Sequence, residues 1–255
     1  MRARAAWLVA AGALLAGAPA AAYVLPASAI LRRLSQKREE QALASIEVRG
    51  TLAFAGEAAA RAAEAGLPLL PGEASAPALV TIKVPGRCRL ELDLPEAAPA
   101  ERPAVTVRGA RFGGSRGMER SLAAVAMVQG LCALLGERPG GAAPERAYQQ
   151  ALSALGVSLD EVSLGRQGGR VAFVVGGKAR DDRPLAWIDK QTFQPLRVAA
   201  ALGGARQEVR LVDWGSATGG DLFPRAVEVR AGGQLLLRFS TEKVVANPKV
   251  PDALF

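Results

Sequence analysis

The chain has 255 residues, half of them apolar and 22% charged, which is length enough to bury a core and excludes disorder or collagen-like repetition. It carries 32 Lys+Arg against 24 Asp+Glu and no histidine, so Ser-His-Asp and Cys-His catalysis and histidine-containing metal sites are excluded, and two cysteines are too few for a cysteine-only metal centre. Three Trp, two Tyr and seven Phe, with no basic motif interleaved by aromatics, argue against nucleic-acid binding; no cofactor and no metal is expected, and the chain reads as a non-enzyme.

Met1–Arg4 carries two positive charges, Ala5–Ala18 is an apolar run, and Pro19-Ala20-Ala21-Ala22 puts small residues before Tyr23. This is the layout of a secretory signal peptide cleaved after residue 22. No cysteine stands where a lipid anchor needs one, and no later stretch approaches the ~18 apolar residues of a membrane span. The expectation is a periplasmic protein with at most peripheral or transient membrane contact. The mature part, 23–255, reads as one domain with an Ala/Pro-rich insertion at about 56–77.

Between Pro26 and Ala44, Ile30, Leu31, Leu34, Ala42 and Leu43 fall at helical spacing among charged residues, predicting an amphipathic helix. Period two follows: Ile46, Val48, Leu52 and Phe54 share one face of a strand. Gly56–Gly66 favours helix, and the three prolines of Leu67–Pro77 break it. Val80–Val84 and Cys88–Asp93 read as a hairpin, and Ala104–Arg108 as a further strand. Arg111–Gly117 reads as a flexible connector.

Leu122, Val125, Val128, Leu131, Cys132 and Leu135 repeat every three or four residues, predicting an amphipathic helix over Met118–Gly136, with a second over Ala143–Leu155. Seven strands are then expected at Leu159–Leu164, Arg170–Val175, Pro184–Asp189, Leu196–Leu202, Gln207–Trp214, Arg225–Arg230 and Leu235–Ser240, followed by an extended tail. Five Gly-Gly pairs fall between them at turn positions. Val227 and Val229, and Leu235, Leu237 and Phe239, alternate with polar neighbours, so one face of the sheet is wet. The fold class is α+β: a strongly curved antiparallel sheet, an incomplete barrel, covered on its concave face by amphipathic helices.

Cys88 shares a face with Leu90 and Leu92, and Cys132 lies on the central helix's apolar stripe, so both thiols point to one interface. In an exported protein the pair reads as a disulfide, the alternative being two separate buried thiols. Asp189 reads as a turn-forming acceptor for the N–H groups after it. Asp181 and Asp182, among Lys178, Arg180 and Arg183, read as a solvated hairpin tip.

Pro184-Leu185-Ala186-Trp187-Ile188-Asp189-Lys190-Gln191-Thr192-Phe193-Gln194-Pro195-Leu196-Arg197 resembles the hydrophobic-x-Ile-Asp-x-x-Thr-x-x-Pro-x-(Arg/Lys) hairpin of the LolA-like superfamily, the periplasmic lipoprotein-sorting carriers and their relatives. Asp213-Trp214 with Gly220–Pro224 and Val227–Arg230, and Asn247–Phe255, are similar to the family's next hairpin and closing segment. The resemblance covers Ala172–Phe255 and the layout of Pro26–Phe54; Arg49 is the positional candidate for a family arginine near the first strands. It implies an incomplete barrel whose apolar cavity takes up acyl chains. Cavity geometry makes Leu52, Phe54, Ile82, Leu90, Leu92, Leu122, Val125, Val128, Leu131, Val227, Val229, Leu235, Leu237 and Phe239 the ligand-facing candidates. The same alternation fits a fully packed core. The expected function is that of a monomeric carrier for a lipid or an acylated lipoprotein; the alternative is an envelope-stress sensor or scaffold of the same fold that binds an envelope protein.

Overall fold

The computed structural model describes residues 24–70, 73–109, 111–137 and 143–255; the expected export signal lies outside them. Helix α1 (Ala27–Glu40) buries Ile30, Leu31 and Leu34. It is followed by β1 (Ser45–Phe54), α2 (Glu57–Glu64), β2 (Ser75–Lys83), β3 (Arg87–Leu92), β4 (Ala104–Arg108) and β5 (Arg111–Ser115). After α3 (Leu122–Leu135) and α4 (Arg146–Ala154) come β6 (Val162–Gln167), β7 (Arg170–Val175), β8 (Leu185–Asp189), β9 (Pro195–Leu202), β10 (Ala205–Val212), β11 (Ala226–Ala231) and β12 (Gln234–Ala246).

All twelve strands form one sheet in the order β5-β4-β3-β2-β1-β12-β11-β10-β9-β8-β7-β6. It is two antiparallel meanders, joined where β12 returns to lie beside β1, with Leu52 opposite Phe239 and Phe54 opposite Leu237. β5 and β6 remain unjoined edges, so the sheet is open. Three of its hairpins turn on Gly-Gly pairs, 168–169, 203–204 and 232–233, with φ between +55° and +83° at every one of these glycines. Both central residues of such a two-residue turn need the left-handed region, which a side chain disfavours.

Several expectations need correction. The strand expected at Val80 begins at Ser75, because Pro77 sits past the end of the β3 ladder and its carbonyl accepts from Asp93 N (2.8 Å). The expected connector at Arg111 is strand β5, which pairs with β4 alone and exposes nearly every residue. β6 starts at Val162 instead of Leu159, and the extended tail continues β12 to Ala246.

Helix α3 is not amphipathic. Ser121 caps it, its hydroxyl accepting from Ala124 N at 3.3 Å. Beyond the cap, only Leu122 and Gln129 of its residues escape burial. A helix apolar all round belongs inside a protein, and α3 runs within the curve of the sheet, touching β3 and β4 on one flank and β9 to β12 on the other. Gly130 permits a close approach: a Cβ there would lie 2.7 Å from Val209 Cγ2. The Cys88–Cys132 disulfide joins β3 to α3 across a sequence separation of 44.

α1 closes the carboxyl end of α3. Arg38 is buried and donates to the carbonyl of Leu135 (3.4 Å), an acceptor that the helix end leaves open, and to that of Leu222 (3.3 Å) in the loop before β11. Arg32 forks onto Glu145 at 3.1 and 3.2 Å, and the Ser35 hydroxyl donates to Pro144 O at 2.8 Å, seating α4 on α1.

Candidate functional site

The inward set lies where the period places it. Leu52, Phe54, Ile82, Leu90, Leu92, Val125, Val128, Leu131, Val227, Val229, Leu237 and Phe239 are all buried, and they belong to one core cluster between sheet and α3. Two of the ligand-facing candidates differ. Leu122 is 39% exposed, at the first turn of α3. Leu235 does not reach the core, because Val229 pairs with Leu237 while Arg230 pairs with Leu235. Leu236 is therefore an extra residue, a bulge that shifts the alternation by one; it packs against the core and its carbonyl accepts from Ala55 N at 2.9 Å.

Open space lies beside α3. One groove, about 380 Å³ in volume, runs between α3, α4, β4 and β9. Its apolar lining is small: Val107, Ala133, Ala147, Ala151, Ala154, Leu155 and Ala201, with the Cys132 end of the disulfide at its base. On α4 the alanines recur at i, i+4 and i+7, one face of the helix. Gln129 and Gln150 add polar contacts, and Gln129 Oε1 accepts from Gly203 N at 2.7 Å. Glu137 completes the lining, and burial pushes its carboxyl pKa up.

The second groove, about 200 Å³, lies under α2 at the amino end of α3. Ala58, Leu122, Ala123, Ala205, Ala231 and Leu236 line it, together with Gln207. Gln207 Nε2 donates to the carbonyls of Leu202 (3.1 Å) and Leu122 (3.4 Å), while its Oε1 is buried without a donor.

Of the ligand-facing candidates, then, Leu122 lines a groove, Leu235 is half-buried on β12, and the others are packed core between α3 and the sheet. Val107, Gln129, Ala133, Glu137 and the α4 alanines were not singled out by sequence reasoning. The signal available was the Ala147/Ala151/Ala154 spacing, hidden by an alanine content that runs through the whole chain.

Elsewhere, Asp189 Oδ1 accepts from Gln191 N and Thr192 N, both at 2.8 Å, a turn-forming role. Asp181 accepts from Lys178 N (2.8 Å) and Arg183 Nε (3.1 Å), and the Asp182 side chain is 97% exposed. Arg49 is exposed, 3.7 Å from Glu47. Among the described residues no group of three or more Cys, Asp or Glu could hold a metal ion, and no helix is long and apolar enough to cross a membrane.

No family model matches the sequence, and no curated protein matches it either. Solved structures do. One is a domain assigned to outer membrane lipoprotein sorting from Vibrio parahaemolyticus, with 12% identity and TM-score 0.37 over 87% of this chain and 94% of that one. Another is a DUF1329 family protein from Desulfovibrio piger, 9% identical with TM-score 0.38 over 90% and 97% of the two chains. A third is from the structure of MucB in complex with MucA(peri), 19% identical with TM-score 0.27 over 90% of this chain and 59% of that one. Likeness at this level is one of outline. The architecture stands on strand order and register: an open antiparallel sheet wrapped round helices, the incomplete barrel that the hairpin resemblance to the LolA-like superfamily implied.

Proposed function

We propose that the protein is a non-enzymatic periplasmic carrier, exported by its amino-terminal signal, that binds the acyl portion of a lipid or lipoprotein in the groove between α3 and α4. The observation that carries this reading is the groove itself: about 380 Å³ of space between α3 and α4, with five alanines among the thirteen residues that line it. Small side chains leave room that larger ones would fill, and apolar surface placed there leaves water at roughly 25 cal/mol per Å². The inward set of buried apolar residues between α3 and the sheet does not line the groove, and an acyl chain would meet it only where a helix is displaced. Native mass spectrometry of the exported protein, purified without detergent, tests the reading. A lipid-sized adduct lost on solvent extraction is expected; a bare protein that also fails to take up a fluorescent fatty acid overturns it.

The edge strand β5 favours a second reading, a protein of this fold that binds a protein partner. Its outer backbone edge is unpaired and Phe112 on it is 55% exposed, an arrangement open to an added strand. Phe112→Asp should then abolish pull-down of an envelope partner while fatty-acid uptake persists; unchanged pull-down removes this reading.

A further inference from the structure

The outer face of β9 to β12 carries cross-strand rows of charge. Arg197 stands directly opposite Arg210, Arg210 opposite Glu228, and Glu228 opposite Arg238. In the next row Glu208 stands opposite Arg230. Like charges directly opposite on a sheet face destabilise it unless they are neutralised, and the carboxylates available are shared. Glu208 takes Arg197 on one oxygen and Arg210 on the other. Glu228 takes Arg230 at 3.0 Å and Arg238 at 2.7 Å.

Arginine carries five N–H donors, and the Nε atoms of Arg197 and Arg210 are both buried without an acceptor. Arg197 is further fixed by lying over Trp187, 4.1 Å from the ring centroid. Burial holds its pKa below the usual arginine value, Glu208 opposes that, and the nearby charges of Arg210 and Arg206 add to the lowering.

These side chains open on a groove of about 390 Å³, in which Arg180, Arg206 and Arg230 join Arg197 and Arg210. Against five arginines stand Asp181, Asp182 and Glu208, and Arg230 is held by Glu228 beside the groove. Asp181 is occupied by Lys178 N and Arg183, Glu208 is saturated by its two arginines, and Asp182 points into solvent with Arg206 at 3.4 Å. The groove thus has more fixed donors than acceptors.

We propose that this groove binds a phosphate-type oxyanion, free or carried on a lipid headgroup, between Arg197, Arg206 and Arg210. Guanidinium forks match the several oxygens of a phosphate, and such charge-assisted bonds are about twice as strong as neutral ones. The site does not depend on the acyl groove, which lies beside α3 on the other face of the sheet.

The test is a titration with inorganic phosphate at constant ionic strength, with chloride as the reference, read from the ¹⁵Nε signals of the arginines. Saturable shifts at Arg197 and Arg210 are expected. Arg206→Gln, at an exposed position, should weaken binding about ten-fold. Glu208→Gln removes the competing carboxylate and should tighten binding several-fold, a gain that a purely structural carboxylate would not produce. Equal shifts with chloride, or phosphate affinity unchanged in Arg206→Gln, overturn the proposal even if Glu208→Gln fails to fold. Vesicles separate the sources: binding to phosphatidylglycerol but not phosphatidylcholine, displaced by phosphate, assigns a headgroup. Phosphate binding without vesicle binding assigns a soluble phosphate. Both of these outcomes support the site.

Discussion

Replacing Ala151 by phenylalanine tests the acyl groove at the point where it is easiest to fill. Ala151 is half-buried, on the α4 face that looks across the groove toward Ala133. A phenyl ring there occupies space instead of displacing packed neighbours, so folding should be preserved. The ring takes the room of on the order of three methylenes, each worth about 0.8 kcal/mol when buried. The loss is about 2.4 kcal/mol, roughly fifty-fold in Kd for a long-chain ligand. Displacement of a fluorescent fatty acid measures it, and a thermal melt confirms that the variant is folded. Ala58→Phe fills the smaller groove under α2 and should leave affinity unchanged. If Ala151→Phe binds like the wild type while Ala58→Phe does not, the ligand site is the smaller groove and the assignment made here is wrong.

Other consequences are open to direct measurement. Burial raises the Glu137 pKa, so the folded state holds its proton more tightly than the unfolded chain does; the stability this gives is present at low pH and is lost as pH rises from the ordinary carboxylate value through the raised one. Melting temperature and fatty-acid affinity should both fall over that range, and Glu137→Gln should flatten both profiles. Replacing both cysteines by alanine opens a cross-link spanning 44 residues, which the chain-entropy model puts at about 4 kcal/mol, or about 8–16 °C in Tm for a domain of this size; a shift within about 2 °C would contradict that model. Gly130→Ala places a methyl 2.7 Å from Val209 Cγ2, an overpacking cost of about 1–3 kcal/mol against a helix gain of about 1 kcal/mol. Denaturant melts should show net destabilisation relieved by Val209→Ala, and a stabilised Gly130→Ala would refute the close contact. In hydrogen exchange, fatty acid should raise the protection of α4 and leave α3 unaltered; the reverse pattern would move the gate to α3.

Most strands were legible in the sequence from their alternation; β12 and β5 were not read to their full extent. β1 announces itself through Ile46, Val48, Leu52 and Phe54, all buried on one face. β12 was cut short because its pairing skips a residue twice, at Leu236 against β11 and at Glu242 against β1, and each skip reverses the phase of the pattern. β5 reads Arg-Phe-Gly-Gly-Ser and is wet on both faces, so it carries no alternation to detect. For the site the limit is different in kind. Period two says which side chains point inward and nothing of what occupies the space they face. Here α3 occupies it, and the room that remains is defined by alanines, whose contribution is the volume they do not fill.

How a ligand could reach that room follows from which helix is tied. α3 is fixed at its carboxyl end by the Cys88 disulfide, by Gly86 N donating to Gly136 O at 2.7 Å, and by Arg38 on the Leu135 carbonyl. Near its other end the Gly203 turn packs so closely that a Cβ there would stand 2.4 Å from Leu122 O, and Gln129 accepts from the same turn. Moving α3 would break most of these at once. α4 buries only Tyr148 and Leu152 along its length and hangs from α1 through Glu145 and Pro144. Tyr148 is its deepest side chain, and burial pushes the hydroxyl pKa up to about 12 against the opposing effect of the Arg38 guanidinium. Of the two helices that line the groove α4 is the less firmly tied, so on the proposed reading an acyl chain would enter by displacing α4, with α3 held as a fixed wall by the disulfide.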